Sequence, residues 1–198
     1  WKKRRVHTIK KVVDKMLVIL PFEKDFYNNY NIDAHFVGHP LLDEISKIKH
    51  VNRQTFIKQN NLHPKKEIIA LLPGSRKQEV TRMLEVMLRV VPKFPNYQFV
   101  IGCAPSLPIE FYNKIVGDNN VKFVVNKTYQ LLQVASAAVV TSGTATLETA
   151  LFFVPEVICY KGNPISYSIA KRLVKVKYIC LVNLIMDKPV VKELIRND

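Results

Sequence analysis

Short apolar runs rich in β-branched residues alternate with helix-like segments along nearly the whole chain, and this alternation limits the fold more than any other feature. Such runs, bounded by polar segments, are typical of buried strands. Strands that alternate with helices predict parallel βαβ units in a sheet covered by helices on both faces. The predicted strands are 16–20, 34–38, 67–72, 97–102, 121–125, 137–142 and 155–160.

The clearest helix is predicted over 77–91, because apolar residues recur there at the spacing of one helical face. Pro92 is expected to end it. The segment VVKELIRND near the end of the chain (190–198) is also helix-like. The fold class is therefore α/β, a Rossmann-like doubly wound parallel sheet. The apolar face of the 77–91 helix consists of Val80, Leu84, Met87, Leu88 and Val91.

Ligands of such sheets bind beyond the carboxyl ends of the strands, so residues that follow a strand are the candidates. Gly74, Ser75 and Arg76 follow the strand 67–72 and precede the 77–91 helix. Glycine lets the backbone approach a ligand, a helix N-terminus favours anions, and arginine offers a forked donor to phosphate. The plainer alternative is a glycine turn in which Ser75 caps the helix and Arg76 lies in solvent.

The segment TSGTATLETA (141–150) follows the strand 137–142. Its small and hydroxylated residues leave room for a diphosphate at a helix N-terminus and supply donors to it. Glu148 is placed to accept hydrogen bonds from the two hydroxyls of a ribose. Alternatively, Ser142 or Thr144 caps a helix, and Glu148 interacts favourably with its dipole. The candidate binding residues are Ser142, Gly143, Thr144, Ala145, Thr146 and Glu148.

Neither segment is a P-loop or a dinucleotide fingerprint, because no GxxxxGK[ST] and no GxGxxG occurs. Two phosphate-type turns at strand ends, 73–76 and 142–146, suit one diphosphate held between them. This interpretation requires both turns to lie at the same edge of the sheet.

Three cysteines without CxxC spacing, in apolar stretches, are expected to be reduced core thiols. The five histidines show no metal-ligand spacing, so no metal is predicted. His39, between Gly38 and Pro40, is expected to shape a turn.

Positive charge is concentrated in two stretches. The formal charge is +14, with seven Lys/Arg against one Asp in 1–15 and five Lys/Arg without an acid in 161–177. Such a charge implies an anionic partner: nucleic acid, anionic lipid or a phosphorylated substrate.

A basic face is predicted on a helix around 165–176, opposite an apolar one. That combination suits docking on an anionic membrane, although a surface helix with a solvated basic side has the same pattern. The basic residues expected to face the membrane are Lys171, Arg172 and Lys175.

Six segments in order resemble the lipid-A-disaccharide synthase family. They are FVGHPLLD (36–43), ALLPGSRKQEV (70–80), TSGTATLETAL (141–151), CYK (159–161), SYSIAKRLVKVKYICLVNLI (166–185) and VVKELI (190–195). The resemblance covers nearly the whole chain. It implies the glycosyltransferase B architecture, in which two Rossmann-like domains face each other across a cleft and the C-terminal domain holds the nucleotide.

The resemblance also implies the family reaction. A 2,3-diacylglucosamine passes from its UDP derivative to 2,3-diacylglucosamine 1-phosphate, forming a β-1,6-linked disaccharide and releasing UDP, without a cofactor. It places Glu148 at the ribose, Arg76 and the 142–146 turn near the diphosphate, and Asn126 near the uracil. It further implies a cytoplasmic enzyme, peripheral on the inner face of the inner membrane of a Gram-negative bacterium. Self-association is compatible with it.

Residues 1–40 are expected to be the end of an N-terminal domain with its linker, and 41–198 a UDP-sugar-binding domain cut short at its C-terminus. Both ends of the chain are expected to be cut from a longer protein, so the piece alone is expected to be inactive. The catalytic residue is expected in the N-terminal domain. The carboxylates of Asp14, Glu23, Asp25 and Asp43 have no spacing that favours catalysis, and surface charge is the expectation for each.

Two other functions fit parts of the sequence. Another UDP-sugar glycosyltransferase or an epimerase of the same architecture would carry similar nucleotide turns, but the resemblance over 166–185 argues against it. A nucleic-acid-binding module would explain the charge. No recognised nucleic-acid-binding motif occurs, so no nucleic-acid partner is expected.

Overall fold

The structure, a computed structural model, describes residues 4–161 and 178–196, and the side chains of 5–160 and 178–194. The chain forms two compact units, Trp1–Ile48 and Lys49–Asp198. The division lies a few residues beyond the boundary expected after Pro40. The predicted basic face of Lys171, Arg172 and Lys175 lies outside the described residues.

The first unit contains two short parallel strands. They pair with Leu17 opposite His35, and they are shorter than the predicted runs 16–20 and 34–38. A small core forms where Val18, Tyr27 and Ala34 are buried. Its elements are α1 (Arg4–Val12), β1 (Met16–Val18), α2 (Pro21–Asn28), β2 (Ala34–Phe36) and α3 (Pro40–Ser46).

His39 is the N-cap of α3, and its Nδ1 accepts a hydrogen bond of 3.2 Å from the backbone N–H of Leu41. Pro40 then occupies the first helical position, where the missing N–H of proline costs nothing. The prediction that His39 shapes this turn is confirmed.

The second unit is a six-stranded, fully parallel sheet with helices, in the strand order β5-β4-β3-β6-β7-β8. The predicted strands of this unit are confirmed to within a residue at each end. Its strands are β3 (Glu67–Leu72), β4 (Tyr97–Cys103), β5 (Val121–Val125), β6 (Ala137–Thr141), β7 (Glu156–Lys161) and β8 (Lys192–Arg196). Its helices are α4 (Arg53–Gln59), α5 (Lys77–Leu88), α6 (Ile109–Val116), α7 (Thr128–Val134), α8 (Thr144–Leu151) and α9 (Leu181–Met186).

The apolar strands form the core because helices cover the sheet. Ile68, Ala70 and Leu71 of β3 have no exposed surface, and Val100 and Val140 on the neighbouring strands have none either. Such complete burial is typical of central strands in a parallel sheet.

The predicted apolar face of α5 packs into this core. Val80, Leu84, Met87 and Leu88 are all buried. The helix ends at Leu88 rather than Val91, and a short 3-10 turn, Val91–Lys93, contains Pro92 at its second position. Because proline has no backbone N–H to donate, its position after the helix removes no hydrogen bond from α5.

The prediction of a helix in VVKELIRND is wrong. Lys192–Arg196 is the edge strand β8, parallel to β7, with Ile158 opposite Glu193 and Cys159 opposite Leu194. Lysine, glutamate and leucine are good helix formers, but pairing with a neighbouring strand overrides weak local propensity.

The three cysteines are free thiols, and Cys103 and Cys180 are buried. Burial raises the pKa of each of these two to about 12. Both thiols therefore stay protonated at neutral pH. The prediction of core cysteines is confirmed for these two, whereas Cys159 is only half-buried.

Candidate functional site

The order of the strands changes direction between β3 and β6. From β3 the chain builds outward through β4 to β5, then returns to the other side of β3 to form β6, β7 and β8. The two central strands are parallel, with Leu72 opposite Val140. The turns that follow them therefore leave the same edge of the sheet, on either side of the crevice where doubly wound sheets bind ligands. The predicted convergence of the 73–76 and 142–146 turns is confirmed.

The 73–76 turn is built around Gly74, whose φ is +104°. A Cβ at this position would collide with the side chain of Glu79. The carboxylate of Glu79 also accepts a hydrogen bond of 3.2 Å from the backbone N–H of Ser75. The backbone angle favours glycine here, and any larger residue would also have to displace the side chain of Glu79.

Arg76, not Ser75, is the N-cap of α5, so the alternative that Ser75 caps the helix is wrong. The side chain of Arg76 is exposed and makes no capping hydrogen bond. The carbonyl of Ser75 accepts a hydrogen bond of 3.3 Å from the hydroxyl of Ser106, which follows β4. The turn is thus fixed from two sides, while the guanidinium stays available to solvent.

Glu79 was missed by the sequence analysis. It is the third residue of α5 after the N-cap, where a glutamate commonly accepts hydrogen bonds from backbone N–H groups that precede the helix. A glutamate at this position therefore indicates, from the sequence alone, a side chain that holds the preceding turn.

The 142–146 turn has space around it, whereas the 73–76 turn is tightly packed. Gly143 is the N-cap of α8, so neither Ser142 nor Thr144 holds that position. Its φ of 166° is extended backbone, and a Cβ added there would have no atom of the described residues within 4 Å. Thr144 is exposed as well. The start of α8 therefore has space beside it and helix N–H groups that lack intrahelical partners.

Thr146 stabilises the 142–146 turn by hydrogen bonds within it. Its side chain has no exposed surface, and its hydroxyl donates a hydrogen bond of 2.8 Å to the carbonyl of Gly143. Its backbone N–H donates to the same oxygen at 3.2 Å. Both donors of this predicted site residue are engaged within the turn. Ala145 is half-buried, and its carbonyl accepts from the Thr149 hydroxyl at 2.7 Å.

Glu148 lies in the second turn of α8 and is half-buried. Its Oε1 accepts a hydrogen bond of 2.8 Å from the phenol hydroxyl of Tyr129. Tyr129 belongs to α7, which begins directly after the loop that contains Asn126. Asn126 is exposed and has a φ of +56°. The structure thus connects the loop after β5 to α8 through a residue that no local pattern indicated.

The segment before α9 closes the turn on its other side. Ser142 donates through its backbone N–H to the carbonyl of Cys159 at 3.3 Å, and its hydroxyl donates to the carbonyl of Ile179 at 3.5 Å. Glu193 accepts hydrogen bonds from the backbone N–H groups of Ile179 and Cys180. The position of the turn therefore depends on β7, β8 and the segment 178–180.

A cavity of about 390 Å³ lies at the opposite edge of the sheet, beside the first residues of β3, β4 and β5. Polar side chains that line this cavity are already engaged in hydrogen bonds with the backbone of the surrounding loops. The ammonium of Lys66 donates to the carbonyl of Pro95 at 2.7 Å, and the side chain of Gln98 bonds the backbone of His63 and Lys66. Ligands of such sheets bind at the carboxyl edge, so we place the candidate site at the two turns.

Within residues 4–161 and 178–196, no group of three or more His, Cys, Asp or Glu side chains is arranged to hold a metal ion. In the first unit, Glu23 accepts hydrogen bonds from the backbone N–H groups of Ile19 and Leu20, so its carboxylate caps α2. Asp14, Asp25 and Asp43 are exposed. No helix in the described part of the chain has the length and apolar character needed to cross a membrane.

Comparison with known families decides what kind of protein carries this arrangement. A family model for lipid-A-disaccharide synthetase matches residues 1–198. The chain belongs to this family. The resemblance found in the six sequence segments is thereby confirmed.

Lipid-A-disaccharide synthases from several bacteria are similar to the chain over its whole length. That of Syntrophus aciditrophicus is 40% identical over 203 residues, which are 99% of this chain and 52% of the relative. That of Coxiella burnetii (strain Dugway 5J108-111) is 37% identical over 202 residues, which are 100% of this chain and 53% of the relative. This member of the lipid-A-disaccharide synthetase family spans about half the length of these curated relatives.

Solved structures show the same fold at low sequence identity. TarM has a TM-score of 0.54 at 16% identity, with 99% of this chain and 36% of that one covered. A UDP-N-acetylglucosamine 2-epimerase has a TM-score of 0.52 at 14% identity, with 91% and 49% covered. WaaG, a glycosyltransferase of lipopolysaccharide biosynthesis, has 0.51 at 13% identity, with 92% and 49% covered. The Rossmann-like α/β architecture of this lipid-A-disaccharide synthetase family member is confirmed.

Proposed function

We propose that this chain supplies the UDP-binding half of a lipid-A-disaccharide synthase. One observation carries the proposal: the 73–76 and 142–146 turns flank a single crevice between β3 and β6. A diphosphate held there meets the start of α8 on one side and the exposed guanidinium of Arg76 on the other. Both are favourable partners for phosphate oxygens.

Each part of the nucleotide has a distinct set of partners in this proposal. The diphosphate lies against Gly74 and Ser75 on one side, and against Ser142, Gly143, Thr144 and Ala145 on the other. Thr146 shapes the second turn with its engaged hydroxyl. Glu148 accepts hydrogen bonds from the ribose hydroxyls, and Asn126, on the loop after β5, lies near the uracil.

The whole enzyme transfers 2,3-diacylglucosamine from its UDP derivative to 2,3-diacylglucosamine 1-phosphate. A hydroxyl of the acceptor attacks the anomeric carbon of the donor sugar, the bond from that carbon to UDP breaks, and a lipid A disaccharide 1-phosphate and UDP result. The base that takes the hydroxyl proton is assigned to the half of the relatives' length that this chain does not span. The chain alone is therefore expected not to turn over.

The membrane partner is a further part of the proposal. The substrates carry long acyl chains, so the enzyme has to meet them at a bilayer surface, and we assign it to the cytoplasmic face of the inner membrane. In the first unit, Lys10, Lys11 and Lys15 are exposed. Lys171, Arg172 and Lys175 supply a second basic group in the sequence. Each lysine or arginine near an anionic surface contributes about 1 kcal/mol to binding.

Calorimetric titration of the chain with UDP tests the nucleotide site. Glu148→Ala is expected to weaken binding by ~1–3 kcal/mol, the usual cost of losing a charged hydrogen-bond partner. Glu85→Ala is the matched control, because Glu85 is an exposed carboxylate on α5. Equal affinities of a folded Glu148→Ala variant and the unchanged chain would remove Glu148 from the site.

Sedimentation with lipid vesicles tests the membrane partner. The chain is expected to bind vesicles with anionic lipid more strongly than neutral vesicles. Replacing Lys10, Lys11 and Lys15 together by glutamine should reduce that preference, and so should replacing Lys171, Arg172 and Lys175. Equal binding to both kinds of vesicle contradicts the assignment.

A further inference from the structure

The carboxylate of Glu148 is held by a side chain from a different helix. The hydroxyl of Tyr129 donates to its Oε1 at 2.8 Å, and both residues are half-buried. The ring of Tyr129 packs against Phe152 at the end of α8, with centroids 5.5 Å apart and planes inclined by 40°. The phenol is therefore fixed by ring packing at one end and by the carboxylate at the other.

We propose that Tyr129 is a positioning residue that orients Glu148 towards the ribose of the nucleotide. This inference rests on the proposed UDP site. An ionised carboxylate has about four lone-pair positions on its two oxygens, so one hydrogen bond from Tyr129 leaves Oε2 and a second position on Oε1 for ribose hydroxyls. A side chain that is already oriented loses less conformational freedom when the ligand binds.

The same contact connects two parts of the nucleotide site. Tyr129 lies in the first turn of α7, immediately after the loop with Asn126. The loop and Glu148 are therefore connected through the hydrogen bond of Tyr129. Recognition of the base and recognition of the ribose are coupled by this bond, although their residues lie on different elements.

The test compares UDP with 2′-deoxy-UDP on the chain and on Tyr129→Phe. This variant keeps the ring that packs against Phe152 and removes only the hydroxyl. UDP affinity is expected to fall about fivefold to tenfold, the effect of losing one hydrogen bond of ordinary net strength. The preference for UDP over the deoxy ligand is expected to shrink, because a misoriented carboxylate no longer distinguishes the two. Tyr97→Phe, at the opposite edge of the sheet, is the matched control and is expected to change neither.

Three outcomes separate the inference from the proposed function. If Tyr129→Phe weakens both ligands by the same factor, the tyrosine has only a structural role and the inference is overturned. If Glu148→Ala weakens UDP binding while Tyr129→Phe binds both ligands as the unchanged chain does, the inference is again overturned and the UDP site stands. If the unchanged chain does not bind UDP, the proposed function and the inference about Tyr129 are both overturned. A double-mutant cycle of Tyr129→Phe with Glu148→Gln should show that the two losses are not additive.

Discussion

The two sides of the crevice are held in place by different physical means. On the side of β3, the turn is fixed by a glycine with a positive φ and by Glu79, above strands and a helix whose core residues Leu71, Val80 and Leu84 have no exposed surface. On the side of β6 and β7, the turn is open, and the strands beneath it carry buried polar groups. We call these the β3 half and the β6 half.

The buried polar groups of the β6 half include several without a hydrogen-bond partner. Among residues 4–161 and 178–196, three buried side-chain oxygens have no hydrogen-bond partner: the hydroxyl oxygen of Thr141 and both carboxylate oxygens of Glu156. Unpaired buried polar groups lower stability. The β3 half is therefore held by apolar packing and a fixed turn, whereas the β6 half contains unpaired buried polar groups that lower its stability.

The largest predicted effect concerns Glu156 in the β6 half. Burial raises its pKa from 4.5 to about 8. The folded chain thus keeps a proton that the unfolded chain releases, so this group's contribution to stability is full below pH 4.5, falls as the pH rises, and levels off above about pH 8. Glu156→Gln cannot ionise. Relative to the unchanged chain, the free energy of unfolding of Glu156→Gln should rise by on the order of 5 kcal/mol between these limits.

Urea unfolding followed by circular dichroism at pH 5 and pH 8 measures this difference. Glu193→Gln is the contrasting variant. Burial by itself raises the pKa of Glu193, but hydrogen bonds from the backbone of Cys180 and Ile179 and from side chains, including Asn183, outweigh it and lower the pKa. Its charged form stabilises the fold, so Glu193→Gln should be destabilised above the carboxylate's ordinary pKa. Parallel stability curves for the unchanged chain and Glu156→Gln would contradict the prediction.

The second prediction concerns the rigidity of the β3 half. Gly74→Ala has to adopt a φ of +104° and displace the side chain of Glu79. We expect the free energy of unfolding to fall by about 2 kcal/mol, the usual cost of a strained backbone position. Gly117→Ala is the control, because Gly117 also has a positive φ, +53°, but an added Cβ would meet no atom within 4 Å in the part of the chain that the structure describes. If the two variants lose the same stability, the contact with Glu79 contributes nothing.

The strands and the helix of the β3 half could be predicted from the sequence, and so could the convergence of the two turns at one edge of the sheet. Buried strands, their alternation with helices, and a glycine followed by an amphipathic helix are all visible as local sequence patterns. The position of Glu79 after the start of α5 was such a pattern too, although it was not used.

Contacts between distant segments account for what the sequence did not reveal. The hydrogen bond between Tyr129 and Glu148 joins two helices, and nothing in the residues around Tyr129 indicates it. The pairing of β8 with β7 likewise overrides the helix-forming composition of the segment. Thr146 looked like a ligand donor because its hydroxyl is polar. Only the fold shows that this hydroxyl is turned inward to Gly143.

The third prediction tests whether the open space of the β6 half serves the ligand. Gly143→Ala keeps an extended φ and meets no atom within 4 Å among residues 4–161 and 178–196, so its stability should stay within about 0.5 kcal/mol of the unchanged chain. If a diphosphate lies there, the added methyl group should weaken UDP binding about fivefold through steric contact. Calorimetry and thermal unfolding together separate the two effects. Unchanged UDP affinity would mean that the open side of the turn does not face the ligand.

The smallest predicted effect concerns the charge of Glu79 at the 73–76 turn. Glu79→Gln keeps an oxygen that can accept the hydrogen bond from the Ser75 N–H, so the turn should retain its shape. It removes a negative charge beside the proposed diphosphate, and like charges at a partly exposed site repel each other by a few tenths of a kcal/mol. UDP affinity should therefore rise about twofold at low salt, and this gain should disappear at high salt. Glu85→Gln, which removes an exposed charge farther along α5, is the control and should leave affinity unchanged. A salt-independent loss of affinity in Glu79→Gln would instead mean that the carboxylate is needed to hold the β3 half in its binding shape. The shape of the β3 half would then depend on charge as well as on packing.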